Sequence, residues 1–294
     1  MKKWLILLVL MVFASEAFAE MRVEMPVSVK QGGVIKIMME DDNLGMRQVE
    51  IKHQHDEKFH VADIIYLDSA RAVALIPIRV SHEPENLTVC VWSSKKICGE
   101  IEIQKVDFPE SKRVFPVAKP TPAVWARFQK ERAFLDEIYA RVTPEKYFSE
   151  HLQFANPLEK MEIVPNSDFG QIRKKVLVNP KTRKVEDRWK DYHKGADFRA
   201  STGTPVFAAE GGKIVAARNL LGSGNTVIID HGYGLISLYF HLSKIYLKEG
   251  AEVRRGQKIG LAGMSGNAEG PHLHFEIRLH KIPVNPFEFF GDAK

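Results

Sequence analysis

The chain has 294 residues, of which 45% are hydrophobic, 27% charged and 10% aromatic. This ordinary globular composition excludes a fully disordered or fibrous protein, and the length fits two domains. Twenty glycines and fifteen prolines favour a loop-rich, strand-rich chain over a helical bundle. Two cysteines are too few for a disulfide-built scaffold or a cysteine-ligated zinc module.

Residues 1–19 read as a secretion signal. Lys2 and Lys3 supply the positive start, and Ala17-Phe18-Ala19 is a small-x-small cleavage pattern. The apolar run at 4–13 is shorter than the ~20 residues that span a bilayer. The mature chain is expected to begin at Glu20. No cysteine follows the run to accept a lipid, and no later segment is apolar enough to span a membrane. The expectation is an exported, soluble protein, periplasmic, with no stable membrane anchor after signal cleavage. Losing Lys2, Lys3 and Glu16 takes the net charge from +5 to +4. That mild basicity suits anionic polymers or lipid headgroups, or is plain solubilising charge. Export argues against a nucleic-acid partner.

The expected fold is mainly β. Short apolar or β-branched runs at 34–39, 48–53, 72–77, 87–92 and 100–104 predict an N-terminal β domain at 20–108, of small-sandwich or partial-barrel type. Cys90 and Cys98 flank what reads as a hairpin turn and could face each other across it, so in an oxidising compartment a disulfide is expected. Two free thiols are the alternative. His53, His55 and His60 cluster nearby. A metal site is conceivable there, but a polar hairpin turn is the simpler reading.

Residues 109–153 read as linker and helix. Pro109 to Pro120 form the linker. Thr121 fits an N-cap and Pro122 the first helical position, and Val124, Phe128, Leu135 and Ile138 recur at near-helical spacing as far as Arg141. The helix is expected as a packing arm between domains. Residues 154–294 return to strands, at 204–208, 213–217, 226–230, 235–241 and 272–278, between Gly-rich turns.

The chemistry gathers in this C-terminal part. His193-Lys-Gly-Ala-Asp197, His241 and Gly270-Pro-His272-Leu-His274-Phe-Glu276 contribute four histidines and an aspartate. On a strand His272 and His274 share one face, and an extended 193–197 segment brings His193 and Asp197 to one face. Each histidine alone reads as structural. Together they contain two imidazoles and a carboxylate, the set zinc uses when a fourth position stays open for water, with two more imidazoles to move protons. A cysteine-free set favours catalysis over structure. His231, in an Asp-His-Gly turn, reads as structural.

These motifs, with Ser167-Asp-Phe-Gly170, Gly203-Thr-Pro-Val206, Ile229-Asp-His-Gly232, Tyr239-Phe-His-Leu242, Gly256-Gln-Lys-Ile-Gly260, Gly263-Met-Ser-Gly266 and Val284-Asn-Pro286, resemble the lysostaphin-type (LytM-domain) zinc endopeptidases. That family cuts peptide cross-links in bacterial peptidoglycan. The resemblance covers roughly the last two-fifths of the chain and rests on several ordered motifs. It implies a Gly-rich antiparallel sheet lining a narrow groove, and a β-rich N-terminal domain as in exported members. It makes His193, Asp197 and His274 ligands of one zinc ion per chain, and His241 and His272 an unliganded catalytic pair, with the choice of base open. Zinc can lower the pKa of water from ~15.7 towards ~7 for attack on the peptide carbonyl and can polarise that carbonyl.

Two features depart from the family pattern. The stretch from Gly170 to His193 is longer than usual and basic, through Lys174, Lys175, Lys181, Arg183 and Lys184. It reads as an extra hairpin at the groove rim or a passive insertion. Ser265 replaces a usual threonine. The expected function is hydrolysis of D-Ala–meso-diaminopimelate cross-links, with glycyl bridges as the alternative bond. A non-catalytic activator of another wall hydrolase and a glycan-binding module with a structural metal are the competing readings. The helix and the 154–165 stretch are candidates to cover the groove.

Overall fold

Strand alternation builds the N-terminal part. A computed structural model describes residues 21–40, 48–54, 60–93, 95–165, 167–179 and 182–290. The expected signal segment and His55 lie outside the described residues. One sheet contains β1 (Arg22–Glu24), β3 (Val34–Glu40), β7 (Arg71–Pro77) and β6 (Ile64–Tyr66), in that order. The facing sheet runs β2 (Ser28–Lys30), β9 (Lys96–Gln104), β8 (Asn86–Trp92), β4 (Gln48–Lys52), β5 (His60–Ala62). Ile35, Ile37 and Met39 meet Val49, Val89, Val91 and Ile101 in one core, so the unit is a small sandwich. Cys90 and Cys98 are directly opposed in the β8–β9 register and disulfide-bonded.

β7 is apolar on both sides because both sides are covered. Ala72, Ala74 and Ile76 face the sandwich core. Val73 and Leu75 join Val34, Ile65 and Leu67 in the core of the C-terminal part. That shared core fuses the two halves of the chain.

The segment expected as a linker is a strand, β10 (Glu110–Ala118). It pairs in parallel with β11 (Ile172–Val178), which pairs antiparallel with β12 (Val185–Tyr192). Its partner is distant in sequence, and its apolar half, Val114 to Ala118, is interrupted by Pro116, so no strand-like run stood out. The basic insertion therefore is a hairpin, enlarged to three strands by β10.

The helix α1 (Pro122–Ala140) begins as its sequence predicts, with the Thr121 hydroxyl accepting from the Val124 N–H. Its packing differs from expectation. Ile138 is buried, with Phe134, Leu135 and Tyr139 partly buried against Ala216, Ile228, Ile236 and Leu238. Val124 and Phe128 remain exposed. The N-terminal half is held instead by polar ties: Glu131 accepts from the Leu221 N–H at 2.6 Å, and Arg127 donates to Asn219. No helix among the described residues is long and apolar enough to cross a membrane.

The C-terminal part is a seven-stranded sheet. It comprises β13 (Ala196–Arg199), β15 (Gly212–Leu220), β16 (Gly224–Gly232), β17 (Leu235–Leu242), β19 (Glu252–Val253), β21 (His272–Leu279) and β22 (Ile282–Val284). Its order is β13-β21-β17-β16-β15-β19, with β22 on β21. A smaller sheet joins β14 (Pro205–Phe207), β20 (Lys258–Leu261) and β18 (Lys244–Ile245). Residues 154–165 are irregular and lie along β13: the Val164 N–H donates to the Asp197 carbonyl and the Arg199 N–H to the Glu162 carbonyl.

Candidate metal centre

β21 carries most of the site. Alternation sends Leu273, Phe275, Ile277 and Leu279 into the core. It turns His272, His274, Glu276 and Arg278 to the other face. Asp197 is directly opposite His274 in the β13–β21 register, so both side chains project together. His193 arrives just before β13. A Cβ at Gly195 would lie 2.3 Å from the Phe275 carbonyl oxygen, so only glycine lets the 193–197 segment close against β21.

Three donor atoms converge here. Asp197 Oδ1 is 2.6 Å from His274 Nδ1 and 3.2 Å from His193 Nε2, and the two nitrogens are 3.0 Å apart. All three residues are buried. The remaining polar atoms are engaged. His193 Nδ1–H donates to the Asp168 carbonyl at 3.0 Å and His274 Nε2–H to Glu276 at 3.0 Å. Ser167 Oγ donates to Asp197 Oδ2, and Arg173, on the inserted hairpin, reaches that oxygen at 3.3 Å. These partners fix the tautomers so that the lone pairs of His193 Nε2 and His274 Nδ1 meet the carboxylate at one point, the arrangement of a metal site with an ordered outer shell.

Charge supports the same reading. Burial opposes ionisation of Asp197, but the hydrogen bonds and charges of His193 and His274 outweigh it and hold the carboxyl well below its usual range. Burial also opposes a charge on His274, yet Asp197 and Glu276 raise it to about 9. The environment thus favours positive charge where the donors meet. His193 is held below its ordinary value by burial. Arg278 binds Glu276 at 2.7 Å and keeps that carboxylate ionised against burial. The triad His193, Asp197 and His274 fits a metal site.

Two more imidazoles border the triad. His241 Nδ1–H donates to the Ser265 carbonyl and His272 Nδ1–H to the Gly270 carbonyl, both at 2.8 Å. Each therefore keeps Nε2 as a proton acceptor. His272 Nε2 is 3.7 Å from Asp197 Oδ1, and the two rings are 4.8 Å apart. His241 has φ 62°, in the left-handed region. Strict alternation would send it to the core side with Tyr239, whereas this turn places it beside His272. Phe240, the alternating neighbour, stacks on His274 at 5.1 Å. Burial is the main cause that pulls His241 down to about 4.

The structure thus brings together all five side chains singled out in the C-terminal sequence. His231 lies elsewhere, fully buried and bonded to the Gly211 carbonyl and Ser237. Sequence reasoning missed Ser167, Arg173 and Glu276 as supports. Glu276 continues the His272/His274 alternation and was readable from it. Ser167 opens one of the motifs that carry the resemblance, with no role read from it, and Arg173 carried no signal.

Comparison with known proteins agrees with this geometry. Residues 191–286 match Peptidase family M23. Peptidoglycan DD-endopeptidase ShyA of Vibrio cholerae is 44% identical over 108 residues, 37% of this chain and 24% of that protein. DD-carboxypeptidase/endopeptidase Mpg of Neisseria meningitidis serogroup B is 46% identical over 94 residues, 32% of this chain and 22% of that protein. The chain thus spans about a quarter of the length of these curated relatives. A solved Pseudomonas aeruginosa structure assigned to peptidase M23 superposes with a TM-score of 0.60 at 25% identity, covering 90% of this chain and 95% of that one. That likeness extends through the N-terminal sandwich. The chain contains a peptidase family M23 domain at residues 191–286.

Proposed function

We propose that this chain is an exported zinc metallo-endopeptidase that hydrolyses peptide cross-links of peptidoglycan in the periplasm. The observation that carries the reading is the buried convergence of His193, Asp197 and His274 beside two imidazoles with fixed tautomers. His193 Nε2, Asp197 Oδ1 and His274 Nδ1 would hold the ion. Zinc bound there supplies a Lewis acid for the scissile carbonyl and a water acidic enough to ionise near neutral pH.

The chain's own groups do the rest. His241 and His272 give their Nδ1–H atoms to backbone carbonyls and turn Nε2 towards the site. Either takes the proton of the attacking water and, once protonated, donates to the developing oxyanion or the leaving amine. Asp168, Glu276, Ser167 and Arg173 keep the donors aligned as charge moves. A pocket of about 640 Å³ next to His272 is lined in part by Glu159, Lys160, Arg199, Ser201, Thr202 and Pro271.

The relatives' names, DD-endopeptidase and DD-carboxypeptidase/endopeptidase, support D-Ala–meso-diaminopimelate as the bond cut. Digestion of purified sacculi by the zinc-loaded chain, read by mass spectrometry of released muropeptides, tests this. Monomers freed from such cross-links are expected. Cleavage only at glycyl bridges would refute the bond. Full digestion by His193→Ala or His274→Ala would refute the mechanism.

A further inference from the structure

The N-terminal sandwich carries a second convergence of ligand-type side chains. His53 directly follows β4, while His82 and Glu85 lie in the β7–β8 loop. Glu85 Oε1 is 2.7 Å from His53 Nδ1 and 2.7 Å from His82 Nε2. Donor atoms of the three lie within 4.8 Å of one another, the same standard the C-terminal triad meets. The His53 and His82 rings are 5.5 Å apart, and His60 on β5 stands edge-on to His53 at 5.7 Å.

The donors are held from behind. The other Glu85 oxygen accepts from the Gln54 N–H at 2.9 Å. The Gln31 side chain donates to the His82 carbonyl and accepts from the Val106 N–H. The His82 N–H donates to the Arg79 carbonyl at 3.1 Å. Among the described residues, the ion pairs of Glu85 are with these two imidazoles and with no lysine or arginine. One carboxylate oxygen thus faces two imidazole nitrogens in a partly buried place, with side-chain exposures of 32%, 19% and 11% for His53, His82 and Glu85.

We propose that His53, His82 and Glu85 form a second zinc-type cation site, which staples the β7–β8 loop to the end of β4. Two imidazoles and a carboxylate are the donors that borderline divalent ions prefer. With bonds of about 2.0–2.1 Å, a tetrahedral ion holds its donors roughly 3.3 Å apart. Side-chain rotation that opens the 2.7 Å contacts by about half an ångström reaches that spacing. A fourth position is left for water. The role is structural, since the site ties two loops and has no counterpart of the His241–His272 pair among the described residues.

The test uses the full oxidised chain, stripped with chelator and titrated with zinc alone. The wild type is expected to bind one equivalent more than either His82→Ala or Glu85→Gln, each shown folded by circular dichroism. In the wild type and in His274→Ala, His53 and His82 imidazole resonances shift on zinc addition. In Glu85→Gln that shift is lost while sacculus digestion continues. An unchanged zinc count in both variants, with no shift of these resonances, would show a hydrogen-bonded cluster only and overturn the site. Because the readout is the difference of one equivalent, it does not depend on whether the C-terminal triad binds zinc.

Discussion

Two places in this molecule gather two imidazoles and a carboxylate, and they are built differently. The His193/Asp197/His274 set is buried on a seven-stranded sheet, and each donor's second polar atom is bonded. The His53/His82/Glu85 set is half-open, on a strand end and a loop. A buried carboxylate without a positive partner costs several kcal/mol, so Asp197 requires positive charge beside it, from Arg173 at 3.3 Å, a bound cation or a protonated imidazole. The Glu85 side chain is about as enclosed, 11% exposed against 10% for Asp197; the openness of this set lies in His53 and His82. Among the described residues, only the C-terminal set has two further imidazoles that turn Nε2 towards it. The same donor types therefore suit catalysis in one setting and a staple in the other, and burial with its supporting partners makes the difference.

The sharpest way to break the contrast is Asp197→Ala. We expect complete loss of sacculus digestion and of one zinc equivalent, with the N-terminal equivalent intact. Loss of both equivalents would mean the sites are not independent. Next in size is His272→Ala. Its zinc count is expected to stay at the wild-type value while turnover falls about 10²–10⁴-fold, the usual range for a lost general acid–base. Muropeptide release under single-turnover conditions reads this directly. A fall in zinc alongside activity would move His272 into the ligand set.

Acid probes the stability of the C-terminal part. Burial holds His231, in the core of the C-terminal part, to about 4, below its ordinary value, so the folded state keeps it neutral. The unfolded chain takes up that proton at about pH 6.5. Stability from neutral His231 is therefore complete above that pH and is lost as pH falls towards 4. Near pH 4.5 the loss amounts to about 2–3 kcal/mol. Chemical denaturation of metal-free chain at pH 7 and pH 4.5 measures it. His231→Gln should remove its share of the difference and leave the share of neutral His241, also held to about 4 by burial; an equally steep dependence in that variant would exclude His231 as a cause.

What the sequence revealed follows the same division. His272 and His274 alternate on one strand, and their facing partner Asp197 sits in a short Gly-containing segment, so local periodicity exposed most of the C-terminal site. Sandwich strands such as β3 and β7 were legible because their apolar runs are continuous or alternate. His82 and Glu85 meet His53 only after the chain returns from another sheet, and no spacing encodes that meeting. β10 escaped for a related reason: its parallel partner β11 lies beyond an entire helix, and its apolar half contains Pro116. Val124 and Phe128 have helical spacing yet are exposed, because periodicity reports which residues share a face and not whether anything covers it.

The mildest test concerns support rather than ligation. Ser167 donates to the Asp197 oxygen turned away from the two imidazoles and carries no charge. Its removal therefore changes alignment without altering the field at the ion. Arg173, on the same oxygen, is a poorer choice, since deleting it also removes a positive charge that opposes a bound cation. Partners of this kind typically contribute 10–100-fold to metal affinity. With Arg173 still in place, Ser167→Ala is expected near the lower limit, about tenfold. Chelator competition should show that weakening at the C-terminal site alone, with Ser167→Thr restoring it. Glu85 takes its support from the Gln54 backbone N–H, which no side-chain change removes, so the N-terminal affinity should not move. Equal weakening at both sites would mean that Ser167 acts through overall stability, and Asp197 would then be aligned by the β13–β21 register without its help.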